Sequence, residues 1–283
     1  MNWGVNQLKD IIGRFFIHNG RIKALNLINK DINTGSTSVY EVIRVVDGIP
    51  LFLDEHLDRL DSSCKLLGSS YLFNRSELIG DIKKLISSNE FYNKNFKILL
   101  SDIQVNTPNL LLYFIESNYP STDLYLNGVH CILYKAERNN PNAKVVVSSF
   151  RENINQSLKS ENAYEAILVN QSNEVTEGSR SNIFVVRDNN LLTPPANEVL
   201  KGITRKRIID LCNKLNIPIT EERIPMSFLE DIDGIFMTGT SPKILPITSI
   251  DDMAFNSNIH PLILRLIDEY NLMISDYINN FSF

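Results

Sequence analysis

Apolar positions along the chain recur with two different periods, and the switches between them mark the elements. Residues 39–46, VYEVIRVV, are β-branched and aromatic and predict a strand. Asp47-Gly48 supplies a turn, with Ile49–Leu53 as the hairpin partner. Asp54 suits an N-cap, and Leu57, Leu60, Cys64 and Leu67 then follow at helical spacing, so a helix is expected to about Leu67. A second helix near 76–88 carries Leu78, Ile82, Leu85 and Ile86, and KILLS (97–101) and LLLYFIE (110–116) read as buried strands. The polar stretch Asn118–Asp123, with its proline, is the best linker candidate. Beyond it, strands are expected at 128–135, 144–149, 164–170 and 182–187, with a helix at about 151–160. A further helix follows Gly202, with Ile208, Leu211, Cys212 and Leu215 in phase. Strand signals return at 217–220 and 234–242, and a last helix at 261–279 presents Leu262, Leu266, Ile267, Tyr270, Ile274 and Ile278 as its inner face. Strands and helices mix without strict βαβ alternation, so the fold class is α+β. The expected organisation is a small N-terminal domain over 1–118, a linker at 119–123 and a larger C-terminal domain over 124–283.

Length agrees with two domains, since 283 residues stand against a prior of ~150 per domain. Hydrophobic residues at 43% exclude a disordered chain. A net charge of −5 gives no electrostatic footprint for nucleic acid or an anionic membrane. No apolar run approaches the ~18 residues of a membrane span. Arg14 interrupts the apolar run near the N-terminus, so no signal peptide is expected. Cys64, Cys131 and Cys212 are far apart and form no CxxC pair, which fits a reducing, cytoplasmic compartment. Cys64 and Cys212 fall on apolar stripes and read as core residues. The four histidines show no HxH or HxxxH spacing, so no metal site is expected.

Three turns rich in glycine and hydroxyl groups are the candidates for chemistry: Glu177–Asn182 (EGSRSN), Leu200–Arg205 (LKGITR) and Thr238–Pro242 (TGTSP). In the second, Gly202 permits a tight turn, and Ile203 and Thr204 open a helix whose first N–H groups have no intrahelical partner. Such a helix start binds anions; taken alone, it also reads as simple capping by Thr204. Thr240 in the third turn offers a hydroxyl, although the turn is equally an ordinary loop ended by proline. Glu177 reads either as a turn cap or as a carboxylate that holds a proton on a ring nitrogen. No GxGxxG or GxxxxGK(S/T) motif and no Ser-His-Asp order is present.

Four segments in this order, VYEVIRVVDGIPLFLDEHLDRL, YEAILVNQSNEVTEGSRSNIF, LLTPPANEVLKGITR and GIFMTGTSPKILPI, resemble the class IV pyridoxal-phosphate aminotransferases. That family includes branched-chain and D-amino-acid aminotransferases and 4-amino-4-deoxychorismate lyase. The resemblance runs from about Asn19 to about Asp251. It implies a two-domain fold of the D-amino-acid aminotransferase type (fold type IV), pyridoxal 5'-phosphate as cofactor, amino-acid and keto-acid substrates, and a homodimer. The family's cofactor lysine lies ahead of the EAIL strand. Counting back without a gap reaches Lys144, 21 residues before Glu165, while the rival Lys159 lies in QSLKSEN, which reads as a solvated helix end. Lys144 is preferred, and Val145–Val147 beside it suit a buried amine. By the same resemblance Glu177 matches the carboxylate on the pyridine nitrogen, Ile203 and Thr204 the backbone cradle for the phosphate, and Thr240 its hydroxyl partner. Arg59 lies off the apolar stripe, as a solvated arginine would, yet in EHLDRL it matches the phosphate arginine. Tyr40 and Arg44 share one face of the first strand and are candidates for the substrate pocket, with Arg44 either in a structural ion pair or reading a carboxylate. The Thr240-Ser241 backbone is a further candidate for a substrate carboxylate.

Three stretches depart from the family pattern. KVVVSSF has only Ser148 and Ser149 where some members carry an aromatic hydroxyl. The loop DIQVNTPN lacks the basic pair with which D-amino-acid enzymes trap a carboxylate. INTGSTS (32–38) replaces the tyrosine-glycine stretch and leaves Thr37 and Ser38 as polar pocket candidates. The leading expectation is amino-group transfer between an amino acid and a 2-keto acid. The alternatives are the lyase of the same fold, releasing pyruvate and 4-aminobenzoate, and a non-catalytic binding protein.

Overall fold

The structure, a computed structural model, describes residues 10–28, 38–105, 108–138, 140–145 and 148–283. The chain divides into two compact units: Met1–Asn118 with Ala143–Val146 and Ser275–Phe283, and Tyr119–Asn142 with Val147–Ile274. Two segments expected in the C-terminal domain therefore belong to the first unit. Backbone pairing explains one of them, because the Tyr40 N–H donates to the Lys144 carbonyl at 3.1 Å and Val39 bridges Val145. Ring packing explains the other: the Tyr277 hydroxyl accepts from the Leu53 N–H at 3.2 Å, and its ring lies 4.9 Å from that of Phe52.

The first unit contains β1 (Ile11–His18), β2 (Arg21–Ala24), β3 (Ser38–Val46), β4 (Ile49–Pro50), α1 (Leu53–Leu66), α2 (Arg75–Asn89), β5 (Asn95–Ser101) and β6 (Asn109–Ile115). The strands form one sheet in the order β2-β1-β6-β5-β3-β4. Strand alternation sorts β3 between two faces. Val39, Ile43 and Val45 join Leu57, Leu60, Cys64, Leu78, Ile82 and Leu85 of the two helices in the main core. Tyr40 joins Phe16, Leu99, Leu111 and Tyr113 in a smaller cluster. The expected cap of α1 is corrected: Phe52, in the left-handed region at φ 52°, stands at the N-cap without a side-chain bond, and Asp54 lies in the first turn. The hairpin strand is shorter than expected because Pro50 has no N–H and the chain reverses at Phe52 to enter α1.

The second unit contains α3 (Thr122–Asn127), β7 (Val129–Lys135), α4 (Ser148–Ser160), β8 (Glu165–Val169), β9 (Glu174–Gly178), β10 (Asn182–Arg187), β11 (Asn190–Thr193), α5 (Ile203–Lys214), β12 (Ile219–Glu221), β13 (Ile224–Pro225), β14 (Gly234–Gly239), β15 (Lys243–Ile250), β16 (Met253–Ala254) and most of α6 (Pro261–Asn280). The strand expected at 144–149 is corrected: Val145 makes one isolated bridge, α4 already begins at Ser148, and residues 146–147 lie outside the described residues. The strand path β10-β14-β15-β7-β8-β9 closes on itself, because β9 also pairs with β10. Ile183, Val185, Ile235, Met237, Leu245 and Ile247 fill one side of this ring with Val129, Cys131 and Ile167. The opposite side of β10 and β14 carries the stacked rings of Phe184 and Phe236, 5.1 Å apart, and α5 packs against β14.

Asn89 shows how a helix end fixes a strand. Gly13, at φ 106°, lies in the irregular stretch of β1 between Ile12 and Ile17. There Asn89 Oδ1 accepts the N–H groups of Arg14 at 2.8 Å and Phe15 at 3.0 Å, and its Nδ2 donates to the Phe15 and Leu85 carbonyls, both at 3.0 Å. Asn89→Ala strands several half-buried backbone groups of β1 at once and is expected to cost about 2 kcal/mol. Urea unfolding of the purified chain checks this, and an unchanged midpoint contradicts it.

Candidate active site

In the second unit the candidate residues converge on one turn. Glu177 is the next-to-last residue of β9 and is 3% exposed. Its Oε2 accepts the Leu200 N–H at 3.1 Å, and its Oε1 lies 3.0 Å from Arg138 Nε. That second contact is a charge pair without hydrogen-bond alignment. Arg138 Nη2 is anchored separately, donating to the Ser179 carbonyl at 2.6 Å. Asn182 of β10, opposite Glu177, donates from Nδ2 to the Leu200 carbonyl at 2.8 Å. The Leu200 residue is thus bound at both its N–H and its C=O. Glycine is required two residues later, since a Cβ at Gly202 would collide with Asn182 Oδ1. Gly202 is the N-cap of α5, and no side chain among the described residues caps the helix. Ile203, Thr204 and Arg205 are all buried. A buried helix start without a cap leaves N–H groups with which an anion can bond.

The EGSRSN turn is rigid because Glu165 holds it from below. Its carboxylate accepts Ser179 Oγ at 2.5 Å, Ser181 Oγ at 3.1 Å and the Arg180 N–H at 3.2 Å. Thr240 and Ser241 are half-buried in the turn after β14, which Tyr125 pins by donating to the Pro242 carbonyl at 2.9 Å.

In the first unit Lys144 is half-buried, not fully buried as its valine neighbours suggested, and Val146 and Val147 lie outside the described residues. Its N–H donates to Ser63 Oγ of α1 at 3.2 Å, and its Nζ lies 5.0 Å from the centre of the Tyr40 ring. Lys159 is exposed in the last turn of α4. Tyr40 is buried and Arg44 half-buried on the same face of β3. Lys97 of β5 also reaches the Tyr40 ring, at 4.9 Å. Thr37 lies outside the described residues, and Ser38 is buried at the start of β3.

Arg59 is not a solvated surface arginine. It is buried, and its Nε and Nη2 grip Glu41 at 2.7 and 2.6 Å. His56 Nδ1 joins the same carboxylate at 2.7 Å. Glu41 sits on the helix-facing side of β3, fully buried. Burial pushes its carboxyl up, but the Arg59 charge and the bonds from Arg59 and His56 overcome this and hold it at about 2. Burial lowers His56 below its usual value against the pull of Glu41, so at neutral pH the ring is neutral and donates through Nδ1–H.

Sequence reading missed Glu41, His56, Lys97, Arg138 and Glu165. The strand-plus-helix pattern contained a signal for the first two, a charged residue on the apolar phase of VYEVIRVV and a histidine one turn before Arg59. Burial pushes the three free thiols up, Cys64 to about 11 and Cys212 to about 12, so none is a ready nucleophile. No group of metal-binding side chains occurs among the described residues, and no helix among them is long and apolar enough to cross a membrane.

Comparison with known proteins decides the family. The family described as amino-transferase class IV matches residues 38–250. The chain belongs to the class IV aminotransferases. It is 30% identical to D-alanine aminotransferase of Bacillus licheniformis over 230 residues, which cover 77% of this chain and 81% of that one. Its fold matches branched-chain amino acid aminotransferase from Escherichia coli, at a TM-score of 0.81 and 21% identity over 93% of this chain and 95% of that one. It also matches the branched-chain enzyme of Thermobaculum terrenum in its PLP form, at a TM-score of 0.80 and 21% identity over 93% and 94% of the two chains. As a class IV aminotransferase it is an enzyme that transfers an amino group between an amino acid and a 2-keto acid with pyridoxal 5'-phosphate as cofactor. The reading as a non-catalytic scaffold is set aside. The donor set fits the cofactor, since one turn joins a buried carboxylate to a buried, uncapped helix start.

The Glu41 cluster is expected to make this aminotransferase acid-sensitive. Glu41 has a depressed folded value, so its contribution is present above the ordinary 4.5 and is lost as pH falls toward about 2. His56 is also depressed, so its unfolded form takes up a proton first, and stability falls as pH drops below 6.5. Glu41→Gln leaves Arg59 buried without its counter-charge and is expected to cost about 3 kcal/mol at neutral pH. It also flattens the loss of stability below pH 4.5. Denaturant midpoints measured across pH 3–8 test both expectations, and parallel pH profiles for the two proteins contradict the assignment.

Proposed function

We propose that Glu177 and the start of α5 hold the two ends of pyridoxal phosphate, and that Lys144 is the amine that attaches the cofactor and moves the proton. One observation carries this reading. Glu177 is bonded to the Leu200 N–H, three residues before Ile203, so a carboxylate and an anion-binding helix start form one rigid piece. The cofactor has a pyridine nitrogen at one end and a phosphate at the other. When bound, it supplies an electron sink for negative charge at the substrate's α-carbon.

The protein's own residues do the rest. Glu177, fixed by Arg138 and Leu200, holds the proton on the ring nitrogen. The N–H groups of Ile203 and Thr204 and the hydroxyl of Thr240 bind the phosphate. Arg59 adds a guanidinium whose orientation Glu41 sets. Lys144 Nζ takes up and returns the proton at the substrate α-carbon. Tyr40, next to Lys144 Nζ, faces the substrate, and Arg44 and the Thr240-Ser241 backbone serve its carboxylate. We also read the enzyme as a cytoplasmic homodimer. The homodimer rests on the family resemblance, and the compartment on three unpaired, buried cysteines.

Lys144→Ala is expected to lose the visible absorbance of the holoenzyme and the half-reaction with an amino donor, while Lys159→Ala keeps both. The opposite pattern sinks the lysine assignment. Adding an amino donor without a keto acid is expected to shift the cofactor's absorbance. Release of pyruvate from aminodeoxychorismate without any acceptor would instead establish the lyase.

A further inference from the structure

Thr238 carries a hydroxyl that nothing so far has used. It lies in β14 and is 1% exposed, and its Oγ1 has no hydrogen-bond partner among the described residues. Threonine hydroxyls in sheets commonly find a nearby backbone carbonyl, as Thr193 does with Ile183 at 2.8 Å. A buried orphan costs about 1–3 kcal/mol and needs a reason.

Its place in the sheet supplies one. Thr238 stands directly opposite Asn182, and Asn182 directly opposite Glu177. Directly paired residues project to the same face, with Cβ atoms ~5 Å apart. Glu177, Asn182 and Thr238 therefore form one polar row across β9, β10 and β14. The first two members are bound to the Leu200 N–H and carbonyl, so the turn into α5 rests on this row. Gly202, the N-cap of α5, is pressed against Asn182, the immediate neighbour of Thr238, and α5 itself packs on β14. The orphan hydroxyl and the uncapped N–H groups of Ile203 and Thr204 are thus two unmet donor sets on one side of the sheet.

We propose that Thr238 Oγ1 donates a hydrogen bond to the phosphate held at the start of α5, which makes Thr238 a cofactor-binding residue. The proposal rests on the reading of that helix start as the phosphate site. It makes Thr238 a residue whose hydroxyl is unfavourable in the cofactor-free chain and is repaid on binding.

The test uses the full chain freed of cofactor, in three forms: unmodified, Thr238→Val, which keeps the shape and removes the hydroxyl, and Thr238→Ser, which keeps the hydroxyl. Binding is titrated by absorbance with pyridoxal 5'-phosphate and with pyridoxal, which has the same aldehyde for Lys144 but no phosphate. Thr238→Val is expected to bind pyridoxal phosphate about tenfold more weakly, as for loss of one bond to a charged group. It is expected to bind pyridoxal unchanged and to melt, without cofactor, at the same or a higher temperature than the unmodified chain. Thr238→Ser is expected to retain most of the affinity. Equal weakening toward both ligands, undiminished affinity for pyridoxal phosphate, or a cofactor-free melting temperature lowered by several degrees overturns the role given to Thr238. If the unmodified chain binds pyridoxal as tightly as pyridoxal phosphate, the phosphate reading of α5 itself fails. If it discriminates and Thr238→Val discriminates equally, only the inference about Thr238 fails.

Discussion

A single residue pair, Glu177 opposite Asn182, closes the strand ring of the second unit. The same pair grips the two backbone polar groups of Leu200. Closure of the sheet and placement of the α5 N-terminus are therefore one event. If the ring opened at this rung, the carboxylate would lose its N–H partner and the helix start would lose its platform together. Glu165 extends the constraint downward, since its three contacts to Ser179, Arg180 and Ser181 leave the intervening turn little freedom. The placement of this carboxylate and helix start thus comes from sheet register, supported by an outer layer of hydrogen bonds.

The first unit uses the two-residue period of β3 to separate two tasks. Glu41 points to the helices, where it neutralises Arg59 in a region that excludes water. Tyr40, one residue earlier, points the other way and meets the Lys144 and Lys97 ammonium groups. A shift of one residue in the pairing of β3 with β5 would exchange these faces. It would bury an aromatic hydroxyl among Leu57 and Leu60 and take the acid away from Arg59 and His56. The antiparallel register from Ser38 to Arg44 therefore governs both the buried ion pair and the surroundings of Lys144.

Much of this was legible from periodicity. The helix over Arg75–Asn89, the strands around Val39–Val46 and Asn182–Arg187, and the glycine-marked start of α5 all stand close to where apolar spacing put them. What escaped was governed by contacts distant in sequence. The strands β1 and β2 lie in a segment whose alternation is broken by Gly13 and Arg14, and Asn89 repairs that break from 74 residues away. Val145 to Ser149 has the composition of a strand, yet α4 begins within it at Ser148, and among the described residues Val145 makes a single isolated bridge rather than a ladder. Arg59 looked solvated on a helical wheel, since a wheel cannot show an acid reaching across from a strand. Among the site residues, glycine- and hydroxyl-rich turns were conspicuous in sequence, whereas Glu165 and Arg138, which only steady those turns, left no local signature.

The path of the chain between the two units also has a consequence for how the protein is made. The first unit draws its last pieces from Ala143–Val146 and from Ser275–Phe283. Tyr277, at the far end of α6, bonds to the backbone where α1 begins. A ribosome delivers residues 10–118 long before it delivers Ser275–Phe283. During synthesis the N-terminal sheet and its helices must wait, unfinished, while the whole second unit is produced. The α1 entry, with its left-handed Phe52 and no side-chain cap, is then among the last junctions to be sealed.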